Sequence, residues 1–518
     1  MIYNNGYILV YKMKIEDMNE ILCKYTNLKE LKKEQFEIIK ILLEKQDVLG
    51  LLQTGFGKSM IYIMIYLITK QNILIISPLL SLMDDQSQQL TKWNISNLCL
   101  NSNNKNKGND INELINTKET KIIYTTPEFI TTSKDILSKL NLALIVIDEC
   151  HCVSAWGNDF RPEYAQLTFI KQILSNIPFL CLTATATKKI SEDIFRSLNL
   201  TNVKIIRGDL YRPNLYIEVI KREKKDKFSN QLNNILLKHV NKKILIYCLR
   251  IADVDKIELL IKSFNIECYG YYASKSQKEK SDIQQKFISG EVKCVVSTIA
   301  FSLGININDI DVLINYDCPP DIESYYQQIG RAGRNGLQSY CYLFWSNQDF
   351  IIHDVFYKKN SDEEFKKYKK KCSNDIRNFI NIKTCRHQYI VSYFDETFDK
   401  LFCNNCDNCL VKYEYTRDFT NEFQILMKVL MNYTTNYGSK HIIDDIYTTF
   451  KTYSYDWWYE FIQYLIFKNI LEYIYSTDNY KLIKYTQLAY QLYNDNTQLN
   501  IKIDQKFNDM DKSEHKLI

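Results

Sequence analysis

Short apolar runs rich in β-branched residues alternate with longer amphipathic stretches through about the first 350 residues of the chain. Val48–Leu52, Ile73–Ser77, Lys121–Tyr124, Leu142–Ile147 and Phe179–Thr183 are near-continuous apolar runs, the pattern of strands buried on both faces of a parallel sheet. The helical stretches between them make this an α/β, doubly wound domain. After the Arg212-Pro213-Asn214 turn and the charged run KREKKDK the rhythm resumes, with strands predicted at Lys243–Tyr247, Glu267–Tyr271, Val292–Ser297, Val312–Tyr316 and Ser339–Phe344. A Lys-rich helical stretch, 355–380, and a cysteine cluster, 385–409, follow. The pattern then becomes helix, helix, helix and a strand pair, as in a winged helix. Asn101–Thr120 is polar and Asn-rich, predicting a solvated loop with one short helix.

Composition narrows the function classes. At 518 residues, 46% hydrophobic and 25% charged, the chain is globular and long enough for three or four domains. A net charge of +5 is too small to mark a nucleic-acid binder, so that property must rest on motifs. The most apolar stretch, Met60–Met83, is interrupted by polar residues and Pro78, which predicts helix, turn and strand rather than a membrane span. The N-terminal residues lack a secretion signal, and most of the 15 cysteines are scattered, which predicts an intracellular protein without a disulfide framework.

Four constellations carry chemistry. Gln53-Thr54-Gly55-Phe56-Gly57-Lys58-Ser59 lies between an apolar strand and a helical run, the context of a phosphate loop. Backbone amides from Thr54 to Gly57 would approach the phosphates of ATP, Lys58 would reach the β- and γ-phosphates, and the Ser59 hydroxyl would ligate Mg²⁺. Leu52 stands where a strict version of this loop has its first glycine. Strand Leu144–Ile147 ends in Asp148-Glu149, where Asp148 would hold Mg²⁺ and Glu149 would activate the attacking water. Gly330-Arg331-Ala332-Gly333-Arg334, in the second α/β unit, offers two arginines to a phosphoryl group across a cleft, or to any anion on a surface turn. Finally, Cys385-x17-Cys403-x2-Cys406-x2-Cys409 has the spacing of one tetrahedral Zn²⁺ site, with His387 as an alternative ligand and buried unliganded cysteines as the alternative reading.

The intervening segments give these motifs a family. In order along the chain stand Ser77-Pro78-Leu79-Leu80-Ser81-Leu82-Met83, Tyr124-Thr125-Thr126-Pro127-Glu128, the run from Asp148 to Gly157, Asp159–Tyr164, Thr183-Ala184-Thr185-Ala186-Thr187, Ala300–Asn306 and Ile322–Gln327. This resembles the RecQ DNA helicases of superfamily 2, over roughly residues 25–410 and more weakly to about 495. The resemblance implies an N-terminal extension at 1–24, RecA-like motor domains at 25–208 and 209–352, a helical zinc-binding subdomain at 353–412, a winged-helix domain at 413–495 and a tail at 496–518. It implies an ATP- and Mg²⁺-dependent enzyme that moves 3′→5′ on single-stranded DNA and opens forked or branched duplexes in repair, recombination or replication. Gln35 would pair with adenine, although Leu28 and Lys32 replace the aromatic and arginine of relatives. Gln327 would orient the water or γ-phosphate beside Glu149. Trp156, Phe160, Arg161 and Tyr164 fall on the family's aromatic-rich loop, suited to unpaired bases, with packing between domains as their alternative.

In the last hundred residues, Trp457-Trp458 would lie on a recognition-like helix and Tyr475 and Tyr480 near the tip of a duplex-wedging hairpin, with core packing as the alternative. From Val411 onward there are 12 Lys+Arg against 14 Asp+Glu, a poor phosphate anchor. The chain reads as a short-form member without a further helical domain. Its expected location is the nucleus of a eukaryotic cell or the host cytoplasm of a large DNA virus. A translocase or strand-annealing ATPase, an RNA-directed helicase and a non-hydrolysing scaffold for branched DNA are the rival readings.

Overall fold

The computed structural model describes residues 13–78, 80–101, 119–154, 162–301, 307, 309–358, 363–400, 402–410, 415–433, 435–450, 452–468, 470–475 and 481–514. The chain divides into two compact units, Met1–Cys372 with Ile390–Phe398, and Ser373–Tyr389 with Asp399–Ile518.

The first unit holds two parallel sheets. Strands β1 (Val48–Leu51), β2 (Asn72–Ile76), β3 (Asn97–Leu100), β4 (Ile122–Thr125), β5 (Leu142–Ile147), β6 (Phe179–Thr183) and β7 (Lys204–Arg207) form one sheet in the order β3-β4-β2-β5-β6-β1-β7. Every residue of β1, β2, β4, β5 and β6 is buried, which is why their sequences are continuous apolar runs. The second sheet comprises β8 (Leu215–Lys221), β9 (Ile244–Tyr247), β10 (Tyr269–Tyr271), β11 (Cys294–Ser297), β12 (Val312–Asn315) and β13 (Ser339–Trp345), in the order β10-β11-β9-β12-β13-β8. Both are RecA-like sheets, as expected. Open parallel sheets bind ligands outside the carboxyl ends of their strands. There the first sheet presents its chemistry, with β1 running into the phosphate loop and β5 ending at Asp148.

The expected border at 352/353 is not where the compact units part. Helix Asn347–Lys358 stays with the second sheet because Arg222 pairs with both Asp317 and Asp349 at 2.6 Å, and because His353 Nε2 lies 2.9 Å from the Cys318 carbonyl. Breaking such a buried pair leaves an uncompensated charge.

The second unit shows the helix order expected from the sequence, Thr420–Met431, Ser439–Phe450 and Tyr455–Phe467, then a hairpin of β15 (Leu471–Tyr475) and β16 (Lys481–Tyr485). Residues 500–514 are not a tail. Preceding the helices, β14 (Tyr415–Asp418) pairs antiparallel with β17 (Asn500–Ile503), and helix Gln505–Glu514 places Phe507 in the core. Trp457 and Trp458 are fully buried there, the first donating its indole N–H to Asp511 at 2.9 Å. They lie on the third helix, as expected, but on its core-facing side, and an indole with its N–H satisfied inside a core has no face left for bases. The hairpin tip, 476–480, and the Tyr475 side chain fall outside the described residues. Among the described residues no helix is long and apolar enough to cross a membrane.

Candidate ATP site and zinc centre

The phosphate loop keeps its shape through two glycines in the left-handed region, Gly55 at φ +81° and Gly57 at φ +89°. A Cβ on Gly55 would lie 3.1 Å from Arg334 Cγ, and one on Gly57 would lie 2.9 Å from Gln35 Nε2. Both positions thus need glycine for conformation and for close approach. Gly57→Ala is expected to cost about 1–2 kcal/mol of stability and to raise KM for ATP, read by thermal unfolding and by steady-state hydrolysis.

Gln35 holds the loop from behind. Its Oε1 accepts the Lys32 N–H at 2.8 Å and its Nε2 donates to the Gly57 carbonyl at 2.9 Å. The amide thus latches helix Lys33–Leu43 to the loop, and with two lone pairs on its oxygen and two N–H groups on its nitrogen it keeps the capacity expected for adenine. The Lys32 ammonium lies 4.1 Å over the Phe56 ring, while Leu28, where relatives carry the stacking aromatic, is 47% exposed.

The two carboxylates are held differently. Asp148 is buried at the end of β5, with the Ser77 hydroxyl 3.5 Å from its Oδ2. Burial and the adjacent Glu149 push its carboxyl up to about 6, while Lys58 pulls it down. Glu149 sits at φ +48°, a left-handed conformation costly for a residue with a Cβ. It places one oxygen 4.0 Å from Lys58 Nζ and the other 3.4 Å from His151 Nδ1. That histidine nitrogen also lies 2.9 Å from the Thr183 hydroxyl at the end of β6. On the metal side, Ser59 and Asp148 offer hard oxygen ligands suited to Mg²⁺, and the Ser59 hydroxyl is oriented by Gln86 Nε2 at 3.4 Å, itself bonded to Tyr62. Gln86 and Thr183 lie far along the chain from the groups they support, whereas Tyr62 and His151 are close in sequence but carry no local sign of a supporting role.

The second domain reaches the same place. Arg334 lies across Gly55, a Cβ on Gly330 would be 3.5 Å from Thr54 Oγ1, and Glu149 acts electrostatically on Arg334. Burial, with Arg331 adding to it, draws Arg334 down to about 9, which leaves it charged at neutral pH. The turn is fixed from behind by Arg212, which donates to the carbonyls of Ala332 at 3.1 Å and Gly333 at 2.8 Å. Lys58, Asp148, Glu149 and Arg334 are therefore brought together. Gln327 sits one turn before Gly330 on helix Ile322–Ile329, half-buried, and Arg331 neighbours Arg334.

Of the expected DNA-binding residues, Trp156, Phe160 and Arg161 lie outside the described residues. Tyr164 is fully buried and donates its hydroxyl to the Asp148 carbonyl at 3.2 Å. Its expected stacking on bases is corrected to packing beneath the catalytic strand end.

In the other unit, Cys385, Cys403, Cys406 and Cys409 bring their sulfurs within 4.8 Å of one another. The Cys403–Cys409 separation is 3.7 Å, close to the ~3.8 Å edge of a tetrahedron with Zn–S bonds of about 2.3 Å. Backbone amides of Gln388 and Asn405 point at the sulfurs of Cys385 and Cys403 at 3.4 and 3.3 Å, which favours thiolates. A bidentate Arg386–Asp407 pair, at 2.9 and 3.0 Å, ties the two arms of the cluster together. The donors fit Zn²⁺, and among the described residues His387 is not part of the group.

Known proteins place this architecture. Residues 32–193 match the DEAD/DEAH box helicase model, 226–336 the helicase conserved C-terminal domain and 347–410 the RecQ zinc-binding model. The chain is 39% identical over 400 residues to protein R290 of Acanthamoeba polyphaga mimivirus, which bears the provisional name of an ATP-dependent RNA helicase; the match covers 76% of this chain and 72% of that one. It is 33% identical over 407 residues to the ATP-dependent DNA helicase RecQ of Pasteurella multocida, covering 76% of this chain and 64% of the relative. Of two longer cellular relatives it spans 31% and 29%. A helicase structure, MrfA bound to DNA, shares the fold at a TM-score of 0.54 and 18% identity, over 69% of this chain and 56% of that one. With its paired RecA-like sheets, its ATP site and its cysteine cluster, the chain belongs to the RecQ family of superfamily 2 ATP-dependent DNA helicases.

Proposed function

We propose that the protein travels 3′→5′ along single-stranded DNA and separates forked or branched duplexes, in repair, recombination or replication. The observation that carries this reading is the seating of the arginine turn of one RecA-like domain against the phosphate loop of the other. A nucleotide held by the loop would be touched by both domains, so hydrolysis is coupled to their relative movement. Lys58 would bind the β- and γ-phosphates, and Glu149, restrained by His151, would orient the attacking water. Arg334, with Arg331 beside it, would meet the charge developing on the γ-phosphoryl group. When bound, Mg²⁺ held by Ser59 and Asp148 would neutralise phosphate charge. The zinc module favours DNA as the track, because the module that matches is the RecQ one. Polarity rests on the family resemblance.

The name of the mimivirus relative supports a second reading, an RNA-directed motor. Strand separation measured on matched duplexes with a 3′ or a 5′ single-stranded tail, with an RNA duplex beside them, tests both. Opening of the 3′-tailed DNA alone is the expected result. Opening of the RNA would replace the DNA reading, and DNA-stimulated hydrolysis without separation would make the protein a translocase.

A further inference from the structure

Helix Ile322–Ile329 leads directly into the arginine turn, and its opposite end is built around an acid that takes no part in the chemistry above. Asp321 caps this helix, accepting the Ser324 N–H at 2.8 Å. Two residues on, Glu323 accepts a hydrogen bond from the Tyr393 hydroxyl at 2.8 Å, while its other oxygen is buried without a hydrogen-bond partner. A buried ionised carboxylate with one oxygen unanswered costs far more than a neutral carboxyl in the same place. Burial, and then the nearby Asp321 charge, push Glu323 up to about 8, with the Tyr393 bond and Lys369 acting in the other direction. The groups facing it from the neighbouring elements are Lys369, Tyr368 and Cys372 on helix Glu363–Asn381 and Tyr393 on the segment Ile390–Phe398, with Asp321 on its own element. Lys369 is itself 2% exposed. The same stretch meets the first domain, where the Lys189 ammonium lies 4.4 Å over the Tyr368 ring.

We propose that Glu323, clamped by Tyr393 and faced by Lys369, is a positioning residue for ATP hydrolysis, fixing helix Ile322–Ile329 so that Gln327, Arg331 and Arg334 meet the phosphate loop. Glu323 and Gln327 share one face of the helix, four residues apart. The turn after it packs on Thr54 and Gly55 with little slack, so a small rotation at the Glu323 end displaces the arginines from the nucleotide. Misplacement of this order costs up to about 10²-fold in rate. The inference rests on the helicase reading above.

The test measures DNA-stimulated ATP hydrolysis of the full chain as a function of pH for the wild type, Glu323→Gln, Glu323→Ala and Tyr393→Phe. In the wild type the carboxyl is neutral below about pH 8 and ionises above it, so kcat falls on the alkaline side. Glu323→Gln, which mimics the neutral acid and still accepts from Tyr393, is expected to keep the neutral-pH kcat and lose that alkaline limb. Glu323→Ala and Tyr393→Phe are expected to lower kcat about tenfold or more, with KM for ATP changed much less than kcat. An unchanged alkaline limb in Glu323→Gln, or a wild-type kcat in Glu323→Ala, would overturn the proposal. Should Glu323→Ala not fold, the Glu323→Gln profile decides alone. A wild type whose ATP hydrolysis DNA does not stimulate would instead sink the helicase reading.

Discussion

Replacing Lys58 by alanine is expected to reduce ATP hydrolysis by at least about 10²-fold, the scale of losing one preorganised charge at a reacting centre, while leaving DNA affinity intact. Two effects add. Lys58 is the cation that meets the phosphates, and its Nζ also stands 4.0 Å from Glu149. Asp148 already lies at about 6 with Lys58 drawing it down. Removing that charge moves Asp148 further up, toward the protonated form at neutral pH, and a protonated acid is a poor Mg²⁺ ligand. The residual activity of the variant should therefore rise with pH more steeply than that of the wild type. Hydrolysis followed across neutral pH, with fluorescence anisotropy on a labelled single strand, checks both parts. ATP hydrolysis at the wild-type rate would remove the loop from the site.

How much of this was legible beforehand depended on burial. Strands β1, β2, β5 and β6 were readable because both faces are covered and their sequences are unbroken apolar runs. The strands that escaped notice lie at or near sheet edges. Lys204–Arg207 is exposed or half-buried, Asn97–Leu100 mostly half-buried, and Leu215–Lys221 alternates as edge strands do, so periodicity alone gives them little weight. The pair β14 and β17 joins residues about 85 apart in sequence, Tyr415 with Ile503 among them, and no local pattern announces such a contact.

The site divides along the same line. Lys58, Asp148 and Glu149 sit on loops at strand ends whose sequence context is local, and so were identifiable. What holds them is not: His151 is oriented by Thr183, 32 residues away, and the arginine turn by Arg212, 120 residues away. Residue type also misleads where one side chain suits two tasks. Tyr164 and Trp457 have the chemistry to stack on bases, yet their hydroxyl and indole N–H are satisfied inside cores.

Withdrawing zinc is expected to unfold the cysteine-bearing module, with a larger loss than any single side chain in the chain would give. A structural zinc site contributes on the order of 10–16 kcal/mol, because the unfolded chain has no preformed site. Here the four sulfurs approach within 4.8 Å of one another, and as thiolates they repel unless a cation lies among them. The ligands join two arms of the chain that are otherwise held by the Arg386–Asp407 pair and by Asn408, whose amide donates to the Ile382 and Thr384 carbonyls at 2.8 and 2.7 Å. One zinc per chain by elemental analysis, a lower unfolding temperature on chelation, and the same loss in Cys406→Ser are the expected results. His387→Ala should keep the full zinc content, since that ring lies outside the ligand group. Metal-free protein with an unchanged unfolding temperature and proteolytic pattern would show that the cysteines are packing residues after all.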